Sequence, residues 1–268
     1  MNMPRKEIIG LIPAAGKAER IAPLPCSKEI FPVGFQELDK NRGEFPKVAS
    51  QYLLERMRFG GAEKVYIVIR NGKWDIPAYY GDGKKLGMHL AYLIMGLPFG
   101  VPYTLNQAYP FVKDAIVLFG FPDIIFQPED AFVKLLNRLT ETNSDIVLGV
   151  FPVNQRHQGD RIALDDKGRI KTIEINPKST HLKLTWIIAV WTEKFSIFMH
   201  KYIQKPNKTG NSGHELAAGK TPQELFLSEV IKAALRKNLQ VETVFFSKGF
   251  YLDIGTPENL TEAVRVGI

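Results

Sequence analysis

Residues 13–20 read Pro-Ala-Ala-Gly-Lys-Ala-Glu-Arg and follow directly on an apolar run at residues 7–13. Small residues at the end of a buried parallel strand let backbone N–H groups approach a ligand at the carboxyl edge of a sheet. Arg20 and, further on, Lys28 bring two cations to that edge, as a polyphosphate requires. Pro23, Pro25 and the run Ser27-Lys28-Glu29-Ile30-Phe31-Pro32-Val33 complete the stretch. An ordinary glycine turn with two surface cations explains the composition equally well, so the loop alone decides nothing. Other reactive side chains say less. The histidines (His89, His157, His181, His200, His214) lack metal-ligand spacing and read as surface or strand residues. Cys26 lies between Pro25 and Lys28, where cations would lower its pKa, but a bystander thiol is the simpler account.

Periodicity gives the elements that must position this loop. Residues 46–60 carry Val48, Tyr52, Leu53 and Met57 at helical spacing, and 65–69 form a second buried strand. The unit is strand, crossover helix, parallel strand. Residues 89–95 read as strand, 104–112 as helix, 115–119 as a third parallel strand, 129–142 as helix and 145–153 as strand. Such alternation predicts an α/β fold, its mainly parallel sheet covered by helices on both faces. After residue 153 the character changes. Residues 161–164 and 170–175 flank Asp165-Asp166-Lys167-Gly168, a hairpin signal. A strand at 185–191 and a helix at 193–202 precede residues 205–220, where Pro206, Gly210, Gly213 and Gly219 predict a mobile loop. A helix at 221–237, a strand at 240–246 and a helix from Pro257 close the chain. No repeat, low-complexity tract or linker interrupts it, so residues 1–268 read as one domain with a small antiparallel inserted part.

Composition narrows the classes. Of 268 residues, 45% are hydrophobic and 24% charged, which excludes collagen-like, coiled-coil and largely disordered chains. The single cysteine permits no internal disulfide and no cysteine cluster, which points to a reducing, cytoplasmic setting. The apolar run 115–126 contains Asp123 and falls short of the ~20 residues a membrane helix needs. The N-terminus loosely imitates a secretion signal, but Gly10 and Pro13 interrupt it and a buried first strand accounts for it better. The formal charge of +7 is spread out. Its basic clusters lack interleaved aromatics, so no nucleic-acid module is expected, while anionic small molecules are drawn in.

The stretch 12–33 resembles the signature loop of sugar-phosphate nucleotidyltransferases, including glucose-1-phosphate thymidylyltransferases and UTP–glucose-1-phosphate uridylyltransferases. The Pro-Ala-Ala-Gly opening and Lys-Glu-Ile-Phe-Pro ending are closest to the uridylyl branch, and Gly81-Asp82-Gly83 with Gly87 to the thymidylyl branch. Phe119-Gly120-Phe121-Pro122-Asp123 sits where the family has its strand-end metal aspartate, and Tyr251-Leu252-Asp253-Ile254-Gly255-Thr256-Pro257 matches its second aspartate motif. The resemblance implies a Rossmann-like three-layer sandwich whose nucleotide-binding half is about 1–153 and sugar-phosphate-binding half about 154–268.

It also implies a reaction in which a sugar-1-phosphate attacks the α-phosphorus of a nucleoside triphosphate and pyrophosphate leaves. Arg20, Lys28, Asp123 and Asp253 would be catalytic, the two aspartates holding Mg²⁺. Ala14, Ala15, Gly16, Lys17, Met95 and Gly100 would bind nucleotide, and Asp160, Glu174, Asn176, Lys178 and Trp186 the sugar phosphate. Tyr103, like Trp186, is a candidate for the pocket lining. The sequence departs from the family at several points. Ala18 replaces the loop's second glycine and Glu19 its threonine; Met95 stands where the thymidylyl branch reads the base with glutamine. Glu174-Ile175-Asn176-Pro177 lacks the lysine of the Glu-Glu-Lys-Pro motif, with Lys178 the nearest substitute, and Asp160 takes the place of a glycine. Base and sugar therefore stay open. A different phosphorylated acceptor and a regulatory module without turnover are the alternatives; a monomer or homodimer is expected.

Overall fold

Runs too continuously apolar to leave one face in water make the centre of the sheet. The computed structural model describes residues 6–39, 43–96, 99–153, 159–205 and 224–266. Its strands are β1 (Ile8–Pro13), β2 (Pro32–Asp39), β3 (Gly43–Val48), β4 (Lys64–Arg70), β5 (His89–Met95), β6 (Ile116–Gly120), β7 (Ile124–Gln127), β8 (Ile146–Pro152), β9 (Arg161–Leu164), β10 (Ile170–Glu174), β11 (Leu184–Trp191), β12 (Val241–Phe245) and β13 (Phe250–Asp253). The helices are α1 (Ala49–Phe59), α2 (Asp75–Tyr80), α3 (Val101–Asn106), α4 (Tyr109–Val112), α5 (Ala131–Thr142), α6 (Glu193–Gln204), α7 (Leu227–Arg236) and α8 (Pro257–Val266). The main sheet runs β12-β8-β11-β6-β1-β4-β5, with β11 antiparallel and the other strands parallel. The β9–β10 hairpin joins it beside the start of β11.

Successive side chains of a strand point to opposite faces, so each central strand feeds two cores. Ile9 and Leu11 of β1 pack with Leu105, Val112, Phe195 and Val230 from α3, α4, α6 and α7. Ile12 packs with Leu53, Ile76 and Phe132 from α1, α2 and α5. In β6, Val117 and Phe119 likewise join the first core and Leu118 the second. Three layers result, as the sequence predicts. A smaller core beneath the β7–β13 pair gathers Val33, Tyr52, Ile125, Leu252 and Ile254.

Several boundaries differ from the sequence expectation. The helix expected over 46–60 begins at Ala49, because Gly43–Val48 pairs with Pro32–Asp39 in a separate hairpin that places Pro46 opposite Phe35. The helix expected over 104–112 is two short ones, each with a proline in its first turn, where a missing N–H costs nothing. The loop expected at 205–220 falls almost wholly outside the described residues, and the helix expected over 221–237 begins only at Leu227, residues 224–226 being non-helical. No helix among the described residues is long and apolar enough to cross a membrane.

Candidate active site

Strand β1 lies between β4, the next parallel strand in the chain, and β6, which is reached by crossing back. Strand order reverses there, and a crevice opens at the carboxyl ends of β1 and β6. A cavity of about 620 Å³ occupies this position, walled by the loop after β1, by Lys28, by Asp123 after β6, and by Phe99, Gly100 and Phe121.

Arg20, Lys28 and Asp123 line this crevice, and Asp253, outside the lining itself, sits against Gly255, which does line it. Strand β13 pairs with β7 so that Asp253 stands opposite Ile124, and Ile254 N–H donates to the Asp123 carbonyl at 3.0 Å. The two aspartates are thereby neighbours despite their separation in sequence. Lys28 Nζ donates to Asp123 Oδ2. Burial alone would raise the Asp123 carboxyl, but the Lys28 ammonium outweighs it and holds the group below its ordinary value. Asp253 is pushed up to about 6, first by burial and then by the charge of Asp123, while Gly255 N–H, Lys28 and Arg20 pull the other way. Gly255 N–H donates to Asp253 Oδ1 at 2.8 Å. A Cβ at residue 255 would lie 2.8 Å from both that oxygen and the Arg20 guanidinium, and would crowd them.

Two carboxylates repelling each other beside a cavity fit a hard divalent cation, which takes its other oxygens from phosphate and water. Asp123 and Asp253 are the residues that would hold it. No group of three or more His, Cys, Asp or Glu that could hold a metal converges among the described residues, so here the protein offers a pair of carboxylates.

The signature loop is shaped as follows. Ala14 is buried, and its N–H donates to the Val68 carbonyl at 2.8 Å, so this donor is committed to the sheet and not offered to a ligand. Gly16 faces open space, with no heavy atom within 4 Å of where a Cβ would be. Ala18 takes the left-handed conformation (φ 57°, ψ 29°) that glycine prefers. Exposed Lys17 stands 3.5 Å from Glu19 and offsets the carboxylate that replaces the usual threonine. Cys26 departs from expectation. Its thiol pKa is raised, by burial and then by Asp75 and Glu29, not lowered by cations.

Gly100 lines the cavity, whereas Met95 needs correction. Gly100 has φ +111°, and a Cβ there would lie 2.1 Å from the Leu225 carbonyl oxygen. Leu225 N–H donates to the Phe99 carbonyl at 3.1 Å. The space a side chain would take is filled by the Leu225 backbone, and Gly100 still forms part of the cavity wall. Met95 is buried among Val68, Leu105 and Ala108 and does not line the cavity.

The residues assigned to the sugar phosphate form a second group, away from the cavity lining. Asp160 is its hub. Its Oδ1 accepts from Asn176 N at 3.0 Å, its Oδ2 from the Ser228 hydroxyl, and its carbonyl from Thr185 Oγ1 at 2.8 Å. Trp186 is buried and donates from Nε1 to Ser228 Oγ at 2.8 Å, so it is core, not pocket lining. Glu174 ends β10, and Asn176 (φ 39°) and Lys178 are exposed beyond it. Tyr103 packs edge-on to Phe99 outside the cavity. His200 bonds Asn106 and Gln204; His157 and His214 lie outside the described residues. Sequence reasoning missed Phe99 and Phe121 as cavity walls, although each flanks a glycine or aspartate that the motifs single out.

The profile of a family described as "Nucleotidyl transferase" matches residues 9–266. A curated relative, the low-salt glycan biosynthesis nucleotidyltransferase Agl11 of Haloferax volcanii, is 20% identical over 257 residues, 95% of this chain. The chain spans 64% of that relative's length. A Bacillus anthracis structure described as a glucose-1-phosphate thymidylyltransferase, in complex with sucrose, is similar at TM-score 0.78 and 17% identity, over 97% of this chain and 95% of that one. A UDP-glucose pyrophosphorylase complexed with UDP-glucose is similar at TM-score 0.73 and 16% identity, over 97% and 98%. At such identities the structural likeness establishes a shared fold.

Proposed function

The chain belongs to the nucleotidyl transferase family, of the sugar-phosphate type, and on that premise we propose that it couples a nucleoside triphosphate to a sugar-1-phosphate with release of pyrophosphate. The observation that supports this most is that Arg20, Lys28 and Asp123 line one cavity, with Asp253 beside Asp123 at its edge. An oxygen of the sugar phosphate attacks the α-phosphorus. The bond to the bridging oxygen breaks, and its electron pair leaves with pyrophosphate. Two anions must meet, so the protein contributes position and positive charge rather than a covalent intermediate. Exposed Arg20 takes the β- and γ-phosphates, where charge accumulates. Lys28 takes the α-phosphate or the incoming phosphate, exchanging Asp123 for it. Residues 15–17 line the phosphate path, with Gly16 open to ligand approach. Mg²⁺ held by Asp123 and Asp253 would neutralise the meeting phosphates.

The acceptor side is assigned to Asp160, Glu174, Asn176 and Lys178, with Trp186 supporting Asp160 from the core through Ser228. Asp160 also favours a second reading, transfer to a non-hexose phosphate, because a hydrogen-bonded carboxylate there replaces a glycine that closely approaches a hexose. A cytoplasmic monomer or homodimer goes with both. The test is pyrophosphate release from each common nucleoside triphosphate against a panel of sugar-1-phosphates and polyol or amino-alcohol phosphates, with Mg²⁺. Release from one pair fixes the substrates. Intact triphosphate binding without release from any pair leaves a regulatory module.

A further inference from the structure

Lys28 is flanked on both sides by anchors that the transfer chemistry does not use. Ser27 N donates to Asp75 Oδ2 at 2.6 Å, and Ser27 Oγ to Asp75 Oδ1 at 2.8 Å. On the other side the Glu29 carbonyl accepts from Ser50 Oγ at 2.7 Å, and Glu29 Oε1 accepts from Lys73 Nζ at 2.6 Å. Glu29 and Lys73 are 1% and 4% exposed. Desolvation makes such a pair weak evidence for stability, since two charges leave water to form it. Its position beside a cationic cavity residue offers another explanation.

With its backbone pinned, Lys28 can change only where its side chain reaches, and three carboxylates attract its ammonium. Two are Asp123, which it bonds, and the neighbouring Asp253. The other is Glu29, adjacent in the chain, whose Oε2 is buried and has no hydrogen-bond partner among the described residues. That oxygen is a ready alternative acceptor. Lys73 opposes the alternative twice: its ammonium neutralises Glu29, and its own charge repels that of Lys28. We propose that Lys73 is a positioning residue, which keeps Lys28 directed at Asp123 and the phosphates by neutralising Glu29. Only the turnover part of its test rests on the nucleotidyl-transfer reading.

Lys73→Met keeps the stem and removes the charge. Its crystal structure should show Lys28 Nζ on Glu29 Oε2 with Asp123 released. Pyrophosphate release should fall roughly tenfold or more in kcat, with KM for triphosphate changed less than about threefold. Adding Glu29→Gln removes the competing carboxylate and should restore kcat to within about threefold of wild type, although the ion pair is still missing. A purely structural pair would leave the double variant as impaired as the single. Lys28 remaining on Asp123 in the Lys73→Met crystal, or kcat following melting temperature across both variants, overturns the proposal. If Lys73→Met does not fold, Lys73→Gln, uncharged but still a donor, carries the same test. A wild-type protein that releases no pyrophosphate from any pair defeats the transfer reading alone, because the crystal structures still decide the role of Lys73.

Discussion

Ala18 holds a backbone conformation that costs an L-residue strain and costs glycine none. Ala18→Gly should therefore stabilise the protein by about 1 kcal/mol, a rise of about 2 °C in Tm for a chain of this size. Thermal unfolding checks it; an unchanged or lower Tm would mean the loop relaxes without help. Arg20 is exposed, and its guanidinium and Asp253 Oδ1 both lie where a Cβ on residue 255 would crowd them. Arg20→Ala should lower kcat on the order of 100-fold while weakening triphosphate binding less than about tenfold, since its charge is needed most as pyrophosphate leaves. Steady-state kinetics beside calorimetric binding separate the two. Asp123→Asn and Asp253→Asn should each cut metal-dependent turnover on the order of 100-fold with far-ultraviolet dichroism unchanged. Either variant at near-wild-type rate would remove that aspartate from the site.

Elements were legible where their signals are local. Asp165-Asp166-Lys167-Gly168 gave the β9–β10 hairpin because its turn is built by its own residues, with Asp165 Oδ1 accepting from the N–H groups of Lys167 and Arg169, both at 2.9 Å. The β2–β3 hairpin was hidden, since Pro46 and the apolar residues after it fit a helix start equally well. The β7–β13 pair was hidden too, because its partners are short and far apart in sequence. Periodicity carries no direction, so nothing marked β11 as the antiparallel member. The same limit applies within the site. Arg20, Lys28 and the aspartates stand in motifs, whereas the Glu29–Lys73 pair spans separate segments and leaves no pattern. Asp160 shows what a long-range tie does, because it joins the start of β9 to β11, to the chain after β10 and to α7. Its carboxyl pKa is raised, chiefly by burial, with the Ser228 and Asn176 hydrogen bonds only partly offsetting it. Above its ordinary value of 3.8 the folded protein keeps a proton that the unfolded chain has shed, so this group's stabilisation is lost as pH rises through the raised value. Asp160→Asn cannot titrate. Its destabilisation relative to wild type should be greatest near pH ~4 and narrow towards pH ~7 in denaturant titrations. A constant difference would show that Asp160 does not titrate differently in the two states.

At the scale of the whole molecule, the excess of 35 basic over 28 acidic residues acts on anionic substrates before any contact forms. Exposed charges such as Lys17 are screened within a Debye length of about 10 Å at 0.1 M salt, and of about 3 Å at 1 M. Lys28, with a side chain 15% exposed and lodged against Asp123, is screened far less. The two kinds of cation therefore separate under salt. Raising sodium chloride from about 0.05 to 0.5 M should increase KM for the triphosphate several-fold through the exposed set, while kcat, governed by the contacts made to bound phosphate inside the cavity, Arg20 included, changes less than about twofold. Lys17→Ala should flatten the KM slope and leave the salt response of kcat where it was. A KM indifferent to salt would confine the useful positive charge to the cavity, and the surplus over the rest of the surface would play no part in capturing substrate.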